Sequence, residues 1–577
     1  MTIVDAPRPL TIAQANARLT APGSRFEVEE ILIRGVATKA WKNGPKTLAE
    51  VFEAAERFSD RTFLVLEEDR VSFEGFLRAT RLLAERLAAD GVGKGDRVAI
   101  VMRNLPEWPV AFFAAALLGA IVTPLNAWWT GPELAFGLSD SGAKIAIVDA
   151  ERLGRIEGDL ANLPELSKVY VARAGGEPLA SKVERLEAVI DVPNSWGELP
   201  RRASPGVRVE PEDEATIFYT SGTTGKPKGA LGTHRNITTN LTSGEAAMAR
   251  RFIRSGQPLP TPPAGGAPQR CSLLVVPFFH VTGCIASLVG AVHSGGKIVL
   301  MRRWDALEGL KLIERERVNS TGGVPTIAWQ LIEHPERETY DLSSLEGIGY
   351  GGAPSAPELV RRIKSVFPTA MPANAWGMTE TSSTAISIGG EDYEAKPDSC
   401  GLPNPTGEFR IVGDAGETLS AGQVGELWFK GPNVVKGYWN RPDATAETFI
   451  EGWVKTGDLA RTDEDGYCFI VDRAKDMLIR GGENIYCVEV ENALYEHPAV
   501  MDAAVVGIPH RTLGEEPAAV VTLKPGAHAD EAELRAFVAA RLAAFKVPVK
   551  IAFSVETLPR NANGKIMKAE VKKVFEA

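Results

Sequence analysis

The chain is predicted to be an α/β protein built on largely parallel sheets, with a small β-rich region late in the chain and an α+β block at its end. Three features predict this. Strand-like and helix-like patterns alternate from Thr47 over most of the chain, which implies α/β layers. Residues 405–470 change texture: the short runs FRIVG, ELWFKG and CFIVD lie between Gly and Asp turns, as in a small β-barrel or antiparallel subdomain. After Arg473 the chain follows a plan of its own, long enough for a separate small domain. A length of 577 residues exceeds one compact core and corresponds to about three to four domains or subdomains.

Taken in order, residues 1–45 read as an extended, partly helical lead-in. LAEVFEAAERF and FLRATRLLAERLAADG carry apolar residues at helical spacing, the second stopping at Gly91. RVAIVM (97–102) and KIAIVDA (144–150) are short β-rich runs, repeated later by SLLVVPFF (272–279) and GKIVLM (296–301). The longest apolar run, residues 110–122, has 13 residues and lies between Pro109 and Pro124. A membrane-spanning helix needs about 20 residues, so this run reads as a buried core helix and no span is expected. Residues 254–270, rich in Pro and Gly, read as a surface loop. The final block reads as strand (AAVVGIP), strand (PAAVVTLK), helix (DEAELRAFVAARLAAF), strand (KIAFSV) and a last helix from Met567.

Composition narrows the function. The chain is 44% hydrophobic and 24% charged, ordinary for a globular protein, with a net charge of -10. An acidic balance argues against nucleic acid, whose phosphates need a basic surface. Five cysteines, an odd count without a C-x-x-C pair, fit reduced thiols better than disulfides or a zinc site. The seven histidines show no H-E-x-x-H spacing. The N-terminus lacks a basic start followed by an apolar stretch, so no signal peptide is expected and the location is read as cytoplasmic.

The most informative string is YTSGTTGKPKG at 219–229, which follows a short apolar strand at 216–219. Phosphate oxygens need many short donors at once. Glycines let backbone amides approach closely and form anion-binding concavities. Thr220, Ser221, Thr223 and Thr224 add hydroxyls around Gly222 and Gly225, and Lys226 and Lys228 add charge. This is no Walker A loop, because two residues rather than four separate the glycines and Pro227 follows Lys226. Downstream come YGGAP (350–354), NAWGMTET (374–381), TGD (456–458) with DRAKD (472–476), GGEN (481–484) and PRNANGK (559–565).

These strings, in this order, resemble the adenylate-forming superfamily of acyl-CoA synthetases, aryl-CoA ligases, peptide-synthetase adenylation domains and firefly luciferase. The resemblance covers roughly residue 45 to the end. It implies two parallel-sheet α/β subdomains plus a small β-barrel-like subdomain over 46–474, and a small mobile α+β lid over 475–577 with its hinge at Lys475. It also implies an ATP-dependent ligase that needs Mg²⁺ and coenzyme A.

By the same resemblance, Thr220, Ser221, Gly222, Thr223, Thr224, Gly225 and Lys226 hold phosphates. Gly352, Ala353, Pro354, Asn374, Ala375, Trp376 and Gly377 lie against the nucleotide, and Asp458, Ile470 and Arg473 serve its ribose and phosphates. Glu380, with Thr224, holds Mg²⁺, and Thr379 contacts the α-phosphate. Lys565 reaches the α-phosphate and the acid. His280, Val281, Gly283, Gly351, Trp376, Met378 and Ser383 line the acid pocket, although His280 also reads as a satisfied core histidine. Gly481, Gly482 and Glu483 line a tunnel for the pantetheine arm. A homodimer and acetylation of Lys565 are further implications.

The WGMTET form favours a medium- or long-chain fatty acid over an aryl or cinnamate-type acid. The resemblance is also compatible with a carrier protein in place of coenzyme A, or with a luciferase-like second step. No carrier domain is expected after residue 577.

Overall fold

A computed structural model describes residues 10–176, 178–220, 227–254, 256, 258, 268–353, 355–561 and 564–576. Among these residues the chain forms two large, mainly parallel sheets, a smaller antiparallel sheet and a C-terminal sheet, as the sequence predicts.

The first large sheet runs in the order 437–438, 229–233, 214–219, 121–124, 97–101, 143–149, 168–172, 183–185. Its strands from 214–219 outward to 183–185 are parallel, and the other two form an antiparallel edge. The second runs 402–403, 383–389, 371–378, 347–351, 320–323, 271–274, 297–300, 62–66, 69–72, with a parallel centre and antiparallel edges. Helices cover both sheets. Phe73–Ala89 starts where the Ser72 side chain accepts the Gly75 amide, and it buries Phe73, Phe76, Leu77, Thr80, Leu83, Ala84 and Leu87 as one stripe. Each large apolar side chain so buried is worth about 1.5–3 kcal/mol.

The apolar run at 110–122 divides into two elements. Helix Glu107–Leu117 is buried on every face, and the chain then turns at Gly119, φ +66°, into strand Ile121–Pro124. A single core helix was the expectation. The glycine's left-handed backbone makes the turn, and hydropathy alone cannot register it.

The lead-in is also more ordered than expected. Helix Ile12–Leu19 is capped by Thr11 and Gln14, whose side chains bond each other's backbone amides. Strands Val28–Ile33 and Val36–Trp41 form a hairpin across Arg34 and Gly35, both at positive φ. The helix buries Ala15 and Leu19 against Ala246, Ala249 and Ile253 of helix His234–Arg254, in one cluster with Phe26 and Trp41.

The antiparallel sheet joins Glu408–Val412, Gly425–Lys430, Trp453–Thr462, Phe449–Ile450 and Cys468–Arg473. The last block contains the strands and helices read from its sequence and one further unit, a short hairpin at 478–485 followed by helix Cys487–Tyr495. It leans on helix Pro325–Ile332 beside the second large sheet, where Lys524 lies over Trp329, 5.5 Å from the ring centre. The five cysteines are buried thiols. No helix of the described residues is long and apolar enough to cross a membrane.

Candidate active site

Several motifs converge on one cavity of about 2810 Å³ between the large sheets, the antiparallel sheet and the C-terminal block. Strand Glu214–Tyr219 brings Tyr219 and Thr220 to its rim. The Thr220 amide donates to the Lys228 carbonyl at 2.8 Å, and Tyr219 pairs with Gly229, so a hairpin stem ends at Thr220 and Lys228. Tyr219 also donates its hydroxyl to Asp140, which Arg441 pairs from the other side. Ser221, Gly222, Thr223, Thr224, Gly225 and Lys226 themselves lie outside the described residues, as does Pro354.

Glycines form the floor. Gly351 and Gly377 sit where a Cβ would come within 2.3 Å of the Ala375 carbonyl and 1.9 Å of the Ser383 carbonyl. Only backbone fits there, which leaves the space above for a ligand. Thr379–Thr381 makes one 3-10 turn after strand Met371–Met378, and Ser382 and Ser383 follow at φ +49° and +89°. Such backbone persists only when neighbours hold it. Asn433 donates to the Thr381 carbonyl, and Asn240 donates to that of Ser382 at 2.7 Å.

Glu380 is 6% exposed, and its Oε1 accepts the Tyr438 hydroxyl at 2.6 Å. Burial raises its carboxyl above the usual range, against that hydrogen bond and the nearby Lys565 and Arg473 charges. Asp458 and Arg473 face each other on adjacent strands, with the guanidinium Nε 3.3 Å from Oδ1. The other carboxylate oxygen accepts the Trp376 indole N–H at 2.8 Å.

Lys565 arrives from the C-terminal block. The turn before it is tied by the Lys565 amide to the Asn561 side chain, by the Asn561 amide to the Lys565 carbonyl, and by Arg560 to the Gly564 carbonyl. Its Cε is 3.9 Å from where a Gly352 Cβ would stand. Burial first, then the positive charges of Arg473 and Lys475, bring its pKa down to about 8, while Asp458 and Glu380 support the charge. Burial, helped by Lys565, takes His280 down to about 3, and its Nδ1 accepts the Thr282 amide at 3.3 Å. His280 is therefore a neutral wall residue with its proton on Nε2.

Thr220, His280, Val281, Gly351, Gly352, Asn374, Ala375, Trp376, Gly377, Met378, Thr379, Glu380, Ser383, Asp458, Arg473, Lys475 and Lys565 all reach the cavity. Other expected site residues do not, and the reasons are steric. Gly283 is packed backbone to backbone, with a Cβ position 2.2 Å from the Pro277 carbonyl. Ile470 packs into the core of the antiparallel sheet. Ala353 is not part of the wall. Gly481, Gly482 and Glu483 form an exposed hairpin turn outside the lining, while the next residue, Asn484, reaches it, and the Gly481 amide bonds the Leu513 carbonyl. Tyr438 and the link from Trp376 to Asp458 went unread, because neither partner is near in sequence.

Opposed charges around the Lys565 ammonium, beside a backbone floor, suit a polyanion meeting a second anion. Comparison with known proteins agrees. The AMP-binding enzyme family model matches residues 51–439, and that of the AMP-binding enzyme C-terminal domain matches 489–565. A feruloyl-CoA synthase of Amycolatopsis sp is 36% identical over 498 residues, 86% of this chain and 92% of that protein. A long-chain-fatty-acid–CoA ligase of Bacillus subtilis (strain 168) is 33% identical over 542 residues, 91% and 93% of the two chains. Among solved structures, the anthranilate CoA ligase AuaEII in complex with anthranoyl-AMP superposes with a TM-score of 0.80 at 26% identity, over 92% of this chain and 97% of that one.

Proposed function

The chain belongs to the AMP-binding enzyme family, and from that premise we propose that it joins a carboxylic acid to coenzyme A at the expense of ATP. The observation that carries this reading is Lys565, a partly buried ammonium set among Glu380, Asp458 and Arg473. A carboxylate and a triphosphate repel each other, so their reaction needs fixed positive charge where they meet.

In the first step a carboxylate oxygen of the acid attacks the α-phosphorus of ATP. The bond to the β-phosphate oxygen breaks, and pyrophosphate leaves with the electron pair. Lys565 lies where it can neutralise the charge that builds between the two reactants, and Arg473 adds to it. Asp458, held by Trp376, accepts the two ribose hydroxyls, and Thr379 meets the α-phosphate. A single buried carboxylate fits Mg²⁺, which usually takes one or two carboxylates together with phosphate oxygens. Glu380, steadied by Tyr438, would be that ligand. The ion supplies charge neutralisation on the phosphates when bound.

In the second step the coenzyme A thiolate attacks the acyl carbon, the acyl–phosphate bond breaks, and AMP leaves. Gly481 and Gly482 are exposed and outside the cavity lining while Lys565 reaches it. Residues 475–577 therefore act as a lid that turns about Lys475 between steps, bringing the glycine turn in as Lys565 withdraws.

The acid is read as an aliphatic fatty acid, because apolar side chains such as Val281, Ile285 and Met248 also line the cavity. An aryl acid is the second reading, favoured by the feruloyl-CoA synthase and anthranilate CoA ligase similarities. The test is pyrophosphate release from ATP with alkanoates and aryl acids, then AMP formation on adding coenzyme A. If no acid of either class elicits release, the proposal is refuted. Lys475→Pro should spare pyrophosphate release and impair AMP formation; equal loss of both refutes the hinge.

A further inference from the structure

The cavity is also lined by Gly244 and Met248 of helix His234–Arg254 and by Ile285 and Ala286 of the π-helical segment Thr282–Val289. Arg25, Phe26, Glu245 and His293 line it as well. Of these, Arg25 and Phe26 belong to a part of the chain that precedes the family match at 51–439. Phe26 packs with Ala246 and Ala249, and the Trp41 indole donates to the Ser243 hydroxyl at 3.0 Å. The hairpin is thereby fixed against the channel wall.

Glu245 spans the opening. Its Oε2 lies 2.6 Å from Arg25 on the lead-in, and its Oε1 lies 3.4 Å from His293 Nε2 on the opposite wall. Arg57 holds that wall by donating to the His293 carbonyl at 2.9 Å. Beside the polar Asn240, Ser243, Arg250, Arg251 and Ser287, the lining carries an apolar strip of Met248, Ala249, Ile285 and Ala286 along which a methylene chain can run. The bridge is half open to water, Arg25 being 55% and Glu245 35% exposed, and an exposed ion pair is held weakly.

We propose that the link between the N-terminal helix and the hairpin, at Arg25 and Phe26, forms the end wall of the acyl channel, and that Glu245, clasping Arg25 and His293 across the mouth, is the latch that sets the longest acid accepted. This rests on the ligase reading above. Chains that stop short of Glu245 bind with the latch closed. Longer chains must part it, so selectivity between them depends on the clasp.

The test is the ratio of kcat/KM for hexadecanoate to that for hexanoate, read by pyrophosphate release from the full chain, with ferulate as a third acid. Glu245→Ala should raise the ratio about fivefold or more, and Met248→Trp, which fills the channel, should lower it about tenfold. The exchange of Arg25→Glu together with Glu245→Arg should bring the ratio back toward the wild-type value, which neither single change does. A ratio that Glu245→Ala and Met248→Trp both leave within about twofold of wild type overturns the latch. Wild-type turnover of ferulate but of neither alkanoate also overturns the latch and leaves the ligase reading standing. Turnover of none of the three overturns the ligase reading and the latch with it.

Discussion

Replacing Trp376 by Phe isolates one hydrogen bond in the nucleotide half of the site. The indole N–H donates to Asp458 Oδ2 at 2.8 Å, and the ring packs with Phe429 at a centroid separation of 6.4 Å. Phenylalanine keeps an aromatic ring there and removes the donor. Asp458 is 6% exposed, so water replaces the lost partner poorly. A hydrogen bond to a charged group is worth about 1.5–3 kcal/mol. At 1.4 kcal/mol per factor of ten, that predicts a loss of about ten- to a hundredfold in kcat/KM for ATP. If Trp376 acts by aiming Asp458 at the ribose, the penalty should shrink with 2′-deoxy-ATP, which offers one hydroxyl fewer. The assay is acid-dependent pyrophosphate release at varied concentration of each nucleotide. An unchanged kcat/KM, or an equal penalty with both nucleotides, would refute Trp376 as the positioning residue for Asp458.

Three other outcomes follow from the same geometry. The Lys565 ammonium is present below its pKa of about 8 and lost as pH rises through it, so kcat/KM for the first step should fall above pH of about 8. Lys565→Arg, which keeps its charge, should flatten that limb, and Lys565→Gln, a mimic of acetylation, should slow the step at every pH. Tyr438→Phe removes the hydroxyl that steadies Glu380 and should raise the Mg²⁺ concentration for half-maximal activity by about tenfold, read by titration of the metal. Gly377→Ala would drive a methyl to 1.9 Å from the Ser383 carbonyl, which is backbone and cannot swing away; thermal melting should show a loss of several degrees or failure to fold.

Much of the site was legible because its chemistry is local. Glycines, hydroxyls and lysines crowd one short string at 219–229, and Thr379-Glu380, Asp458 and Lys565 each stand in a recognisable neighbourhood. The strands and helices were legible for a similar reason, since burial of one face imposes a period on the residues themselves. Gly283 and Ile470 show where that reasoning ends. Each lies within a motif neighbourhood, yet one is pressed against the Pro277 carbonyl and the other faces a sheet core. A string specifies residue types, while the direction each side chain takes depends on what packs around it.

By itself, then, the sequence determined the class of fold and the order of its layers, and it named the groups proposed here to meet phosphate, ribose and an acid. Tertiary structure alone decided which partners those groups have: Tyr438 for Glu380, Trp376 for Asp458, and Arg25 and His293 for Glu245. The physical reason is distance along the chain. Those bonds join residues 48 to 220 positions apart. Such contacts impose no periodicity on the sequence and form only when separate sheets and helices have already packed.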